Sequence, residues 1–313
     1  MNRILSLVLV ALSLHACIPL DEGGGGGSGT VALVNGYAFI RTDTRDVYVS
    51  DRSDTQAAMA LTTDGNNYFP SLSADGKQVA YVHREGAYTS VRRAGVQPGA
   101  TSATVLDSNG VYTAFRNPVF SPDGSTLAFS FEQGGVSRVG IVGVDGAGFT
   151  QVSPAGALAY GAPAWTPDGL SLVVPAGSTA GNLTQLEQLN VATGQSQVLR
   201  ANLGNEALSV VNRVVVSPDG TMVAFDGRTA ANTQRIFVAP LSGGAVTQAT
   251  DHGGVDALAN DSFPCFVSSS VLAFASDAGG ASQVYELTLP AARQAGVLKV
   301  PSAAEPWFGP YLP

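Results

Sequence analysis

Four stretches of the chain, residues 70–81, 118–129, 163–174 and 214–225, share one pattern of polar and apolar positions. Each has an apolar segment, a polar four-residue turn and a second apolar segment. The turns read Ser-Ala-Asp-Gly at 73–76, Ser-Pro-Asp-Gly at 121–124 and 217–220, and Thr-Pro-Asp-Gly at 166–169. A hydroxyl at the first position bonds nearby backbone, and proline at the second presets φ. Aspartate suits the third position and glycine the fourth. The motif is therefore a tight reversal between two strands. The segment behind it, such as Leu127-Ala128-Phe129 or Val223-Ala224-Phe225, is continuously apolar rather than alternating. Such a run predicts a strand covered on both faces.

The turn glycines Gly76, Gly124, Gly169 and Gly220 stand 48, 45 and 51 residues apart, a period that marks a repeat architecture. A fifth frame, residues 264–274, keeps the apolar segments without the turn residues. Behind each apolar strand come a polar turn, a strand such as 138–142 or 235–238, a glycine turn, and a polar strand such as 149–152 or 245–248. Four strands per repeat make one propeller blade. Residues 305–310 fit the frame of 162–167 and supply an inner strand with nothing behind it. Residues 30–62 supply three strands that lack an inner one. The chain is thus predicted to be all-β: a six-bladed β-propeller over residues 30–313, four antiparallel strands per blade. The C-terminal strand is expected to join the N-terminal blade, which removes an exposed sheet edge. Whether 31–34 or 37–40 is the second strand of that blade stays open. A seven-bladed ring or a larger solenoid is the alternative.

The first residues read as an address. Met1-Asn2-Arg3 is a short basic start, and residues 4–14 are apolar except for Ser6 and Ser13. That run is shorter than the roughly 20 residues a membrane-spanning helix takes, and it suits a signal peptide. It ends in Leu14-His15-Ala16-Cys17, which resembles the bacterial lipobox, with His15 departing from the usual pattern. The resemblance implies a signal peptide over 1–16 and lipidation of Cys17. Residues 17–29 include five consecutive glycines, a composition that makes a flexible tether. Ile18, not aspartate, follows the cysteine, and in lipoproteins this leans toward the outer membrane.

The Pro-x-aromatic-Ser-Pro-Asp-Gly frames resemble the TolB-type propeller repeat, as does the connection Leu61-Thr62-Thr63-Asp64-Gly65 leading to Pro70. The resemblance covers nearly all of the chain behind the tether. It implies the fold and leaves the function open, because the same propeller serves envelope proteins, prolyl-peptidases and oligogalacturonate lyase. The Tol protein itself carries an additional N-terminal α/β domain, for which the repeat leaves no room here. The chain is therefore expected to be a different protein.

Charged residues make up 13% of the chain and the net charge is -8. No concentrated basic patch exists for nucleic acid. With Cys17 lipidated, Cys265 is left as a small buried hydrophobe. His83 and His252 are expected in solvent-exposed loops, and no zinc-ligand spacing, Gly-x-Ser-x-Gly elbow or phosphate loop occurs. Asp75, Asp123, Asp168 and Asp219 recur once per blade, too far apart to share a calcium ion. No cofactor or metal is expected. Residues just ahead of the Pro frames should gather at one mouth of the central channel: Asn67, Tyr68, Arg116, Asn117, Tyr160, Asn212, Arg213, Asp261 and Glu305. This mixture suits a peptide or a small polar ligand. Alternatively, Arg116 and Arg213 pair with Asp261 and Glu305 and merely solvate the channel. Phe69, Phe115, Trp165, Phe263, Trp307 and Phe308 read as core between blades.

These readings converge on a lipid-anchored envelope protein, monomeric and not an enzyme, whose propeller binds an envelope protein or peptide. Its membrane contact would be the lipid anchor alone. The alternative is a propeller enzyme or binding protein acting on envelope or extracellular polysaccharide.

Overall fold

The turns are fixed first, by their own side chains. In a computed structural model, which describes residues 32–204, 207–290 and 293–309, the Ser73 hydroxyl donates to Asp75 Oδ1 at 2.6 Å. The Gly76 N–H closes the turn on Ser73 O at 2.9 Å. The same two bonds form at Ser121-Asp123-Gly124, Thr166-Asp168-Gly169 and Ser217-Asp219-Gly220. The four glycines have φ between +67° and +72°, a region that a Cβ disfavours. Each turn hydroxyl also accepts the N–H five residues on, which pins the start of the next strand.

These bonds depress the turn carboxylates. The Ser121 and Thr166 hydroxyls, with backbone N–H groups, hold Asp123 and Asp168 below the ordinary carboxylate range. The Ser217 hydroxyl and the Thr221 N–H take Asp219 down to about 2. A group depressed by folding stabilises the fold above its unfolded value and stops doing so as pH falls through its folded one. For Asp219 the window runs from 3.8 down to about 2. Urea midpoints are therefore expected to drop across that window. The combined Asp123→Asn, Asp168→Asn and Asp219→Asn variant should show a shallower drop, and an unchanged slope would refute the assignment.

Strands between the turns pair antiparallel in five sheets among the described residues. Asn67–Leu72, Gln78–Glu85, Tyr88–Gly95 and Ala103–Asp107 form one. Tyr112–Phe120, Thr126–Gln133, Val136–Gly143 and Thr150–Gln151 form the next, and Asp261–Ser268, Val271–Ser276, Gln283–Thr288 and Val297–Val300 another. A fourth joins the two ends of the chain, in the order Ala303–Gly309, Gly36–Arg41, Val47–Asp51, Met59–Ala60. Trp307 lies opposite Ala38 and Phe308 opposite Tyr37. Of the two N-terminal candidates, it is therefore 37–40 that flanks the C-terminal strand.

The sequence predicts six separate four-stranded sheets, and this is corrected. Residues 159–248 build a single nine-stranded sheet beside the four four-stranded ones. Leu183 on Asn182–Asn190 pairs with Val210 on Ser209–Val216, which bridges two repeats. Both side chains are buried in one apolar cluster, so the pairing removes backbone polar groups from an apolar surround.

The continuous apolar runs have the predicted cause. On Gln78–Glu85, Val79 and Tyr81 pack with Ala38 and Ile40 of the sheet on one side. Ala80 and Val82 pack with Phe115 and Phe129 of the sheet on the other. Leu127 and Phe129 likewise face backward, while Ala128 faces Leu172 and Val174 of the following sheet. The result is an all-β propeller. Its sole helical turn among the described residues is Gly254–Asp256, and no helix there is long and apolar enough to cross a membrane. Cys265 is buried, and burial pushes its thiol up to about 12. The proposed signal peptide, Cys17 and the tether lie outside the described residues.

Candidate functional site

Six strands line the axis: Asn67–Leu72, Tyr112–Phe120, Ala164–Trp165, Ser209–Val216, Asp261–Ser268 and Ala303–Gly309. Each touches the next, and the last touches the first. Their leading ends, ahead of the Pro frames, define the proline end of the axis. Their trailing ends define the turn end.

At the proline end the strands bulge. Phe69, Asn117, Phe263 and Glu305 each precede a proline and have φ between +49° and +55°. The pairing register slips at the same places. Proline has no N–H for the ladder, so a bulge there costs no bond that proline would have made. The bulges turn side chains and carbonyls onto the axis. Arg213 donates to Pro264 O at 3.0 Å, to Phe263 O at 2.8 Å and to Pro306 O. Its guanidinium also lies over the rings of Phe263 and Trp307. Glu305 accepts the Phe69 N–H, with Arg45 Nη1 3.6 Å away. Burial pushes the Glu305 carboxyl up against the pull of these partners. The rings of Phe69 and Phe263 meet at 6.1 Å. These groups brace one strand on another at the proline end.

The predicted mouth residues divide. Arg213 and Glu305 reach the axis, where the charge of Arg213 is among the influences that act against burial on the Glu305 carboxyl, while Arg116 and Asp261 meet Glu132 and His252. Arg116 is exposed and reaches Glu132 at 3.5 Å, on the neighbouring strand. Asp261 is fully buried and pairs with His252 at 2.8 Å. Asn67 is also fully buried, donating to Thr62 and Asp64 while its Oδ1 faces His83. Tyr68 sits under Arg45 and Arg84. Asn117 is buried, and its Oδ1 has no partner among the described residues. Tyr160 donates to Glu187, and burial, with Glu187 beside it, lifts its hydroxyl to about 12. Asn212 and the Arg213 N–H both donate to Asp226. Burial raises the Asp226 carboxyl in spite of these donors.

The histidines are not exposed loop residues. His83 lies on Gln78–Glu85 with its side chain 11% exposed, and that of His252 is 3% exposed. Sequence alone gives no sign that Asp261 and Asn67 point back at them. Ser276 stands 3.5 Å from His252 Nε2, the same nitrogen that meets Asp261. A relay would use the two opposite nitrogens, so this cluster lacks triad geometry. Among the described residues, no group of three or more His, Cys, Asp or Glu side chains is placed to hold a metal.

The turn end is open. A cavity of about 300 Å³ is bounded by Leu72, Phe120, Trp165, Val216, Trp307 and Phe308, contributed by five of the six axial strands. The turn residues Ser73, Ser121, Thr166 and Ser217 rim it. Among the described residues, no charged one lines it. The chain has two tryptophans, and both are here. The Trp165 indole N–H is satisfied by Val119 O at 3.2 Å, so its ring can face an apolar ligand. Trp165, Trp307 and Phe308 are therefore cavity walls as well as core. The signal for this site is the apolar residue directly before each turn, Leu72, Phe120, Trp165 and Val216. It reads as core until the strands are known to converge.

No protein-family model matches the sequence, and no curated protein matches it either. Solved structures do resemble the fold. TolB from Acinetobacter baumannii superposes with a TM-score of 0.65 at 16% identity, over 88% of this chain. The chain spans 66% of that protein's length. An oligogalacturonate lyase in complex with manganese superposes with a TM-score of 0.57 at 18% identity, over 82% of this chain and 74% of the lyase. At such identities the likeness establishes the propeller fold alone.

Proposed function

We propose that the chain is a binding scaffold of the bacterial cell envelope, anchored through Cys17, whose axial cavity at the turn end receives an apolar side chain of a protein or peptide partner. The observation that carries the reading is the cavity itself. Five strands far apart in sequence present aromatic and aliphatic walls to one open space, the usual form of a recognition pocket. Shallow polar rims of serine and threonine suit the backbone on either side of an anchor residue. The reading takes the propeller as a closed ring of six radial units, the nine-stranded sheet counting as two units joined at Leu183 and Val210. The axial contacts and the pairing of Ala303–Gly309 with Gly36–Arg41 support that closure. The TolB-like fold and the lipobox support the envelope setting, with the outer membrane favoured by Ile18.

The test is a peptide selected against the full chain. Its binding is expected to depend on one Trp, Phe or Leu anchor. Replacing that anchor by serine should weaken binding tenfold to a hundredfold, from the roughly 1.5–3 kcal/mol that burying such a side chain contributes. Val216→Asp, which places a charge on the cavity wall, should weaken binding comparably. Peptides indifferent to both changes would reject the cavity as the site.

A further inference from the structure

A second cavity, of about 370 Å³, has a different chemistry. It opens between the turn that joins Met222–Arg228 to Gln234–Pro240 and the turn that joins Val271–Ser276 to Gln283–Thr288. Arg228, Asn232 and Gln234 line one side, Asp277 and Ser282 the other, with Asn260 and Ser262 between them. Among the described residues, no aliphatic or aromatic one lines it.

Its walls are tied together. Asn260 Oδ1 accepts the Gln234 N–H at 3.0 Å, while the Asn260 N–H and Nδ2 donate to the two oxygens of Asp277. One side chain therefore spans both walls and sets the width of the cleft. Arg228 Nη1 donates to Asn232 Oδ1 at 2.7 Å, which fixes the orientation of that amide. Ser282 is bonded to Ala303 O at 3.0 Å. Among the described residues, the Gln234 carboxamide and the Ser262 hydroxyl make no hydrogen bond, and neither does the Asn232 NH2 group.

These free groups choose a ligand class. A carboxamide and a hydroxyl each donate and accept, as a sugar hydroxyl does. The single guanidinium and single carboxylate oppose each other, so neither an anion nor a cation is favoured. An apolar ligand finds no surface to cover, and a peptide finds no pocket for an apolar side chain. We propose that this cleft binds a neutral saccharide unit through Asn232, Gln234 and Ser262. The site is separate from the axial cavity, and the proposal does not depend on that reading.

The test uses the full chain with maltotriose, cellotriose and tri-N-acetylchitotriose, and trigalacturonate as the charged comparison. Saturation-transfer NMR should detect at least one neutral trisaccharide, bound more tightly than trigalacturonate. Gln234→Ala and Ser262→Ala each remove a group that makes no bond within the fold. Each should weaken binding about fivefold, the loss of one hydrogen bond. Tryptophan emission should stay constant throughout, because both tryptophans line the axial cavity. Absence of transfer to all three neutral sugars overturns the proposal. So does equal binding in both variants, a preference for trigalacturonate, or an emission change that places the sugar at the axis.

Discussion

Arg213→Ala is expected to lower the unfolding free energy by about 3–5 kcal/mol. The guanidinium is 3% exposed and donates to three backbone carbonyls on two other axial strands. Removing it leaves the carbonyls of Phe263, Pro264 and Pro306 without that donor. A hydrogen bond to a charged group is worth roughly 1.5–3 kcal/mol, and an orphaned buried acceptor adds its desolvation cost. Three such bonds do not simply add, because they share one donor group. The contacts with the Phe263 and Trp307 rings are lost as well. Arg213→Lys keeps the charge but lacks the planar fork that reaches several carbonyls, so it should recover only part of the loss. Urea midpoints checked against an unchanged m-value give the numbers. A loss below about 1 kcal/mol for Arg213→Ala would mean that these bonds do not brace the axis.

The second large effect is expected at Glu286. This residue, on Gln283–Thr288, is 5% exposed. It accepts two bonds from Arg52, at 2.8 and 2.7 Å, and one from the Tyr37 hydroxyl, with Lys299 3.6 Å away. Tyr37 belongs to the sheet that pairs Gly36–Arg41 with Ala303–Gly309, and Arg52 directly follows its strand Val47–Asp51, so the cluster ties that sheet to its neighbour. Burial acts to raise the Glu286 carboxyl, but Arg52, Tyr37 and Lys299 together hold it below its ordinary value. Burial, with Glu286 beside it, pushes the Tyr37 hydroxyl well up, so it stays protonated as a donor. Glu286→Ala strands a fully buried hydroxyl and a partly buried cation. Losing one partner of a buried pair costs about 3–5 kcal/mol. Solvent at Arg52, whose side chain is 33% exposed, places the expectation toward the lower figure. Glu286→Gln keeps an acceptor for Tyr37 and should cost less. Equal midpoints for wild type and Glu286→Ala would show that the two sheets do not rely on this contact.

What the sequence discloses follows the range of the forces involved. The turns are legible because Ser121, Pro122, Asp123 and Gly124 satisfy one another within four residues. The sandwiched strands are legible because a run such as 79–82 needs apolar cover on both faces wherever it lies. The bridge between Leu183 and Val210 is not legible, since it depends on how closely two neighbouring sheets approach. Arg213 and His252 fail for another reason. A charged side chain in a sequence suggests a charged partner, whereas three of the bonds that Arg213 donates go to carbonyls beside the bulges. His252 meets an aspartate nine residues away that reads as a channel group. The polar residues ahead of the Pro frames read as a mouth in the sequence, and the structure shows several of them, Asn67, Asn117, Arg213, Asp261 and Glu305, to be buried. The bulges ahead of Pro70, Pro264 and Pro306 set strand-to-strand contacts at that end, and the apolar residues ahead of the turns wall a cavity at the other.

Because Trp165 and Trp307 both wall the axial cavity, their fluorescence reports its occupancy without a label. Titrating the full chain with a peptide carrying a leucine anchor is expected to give a saturable shift of tryptophan emission to shorter wavelength. The same peptide with serine at the anchor should need at least tenfold more to reach the same shift. Saturable binding of the leucine peptide with emission unmoved would contradict the central claim that the turn end of the axis is where the partner sits.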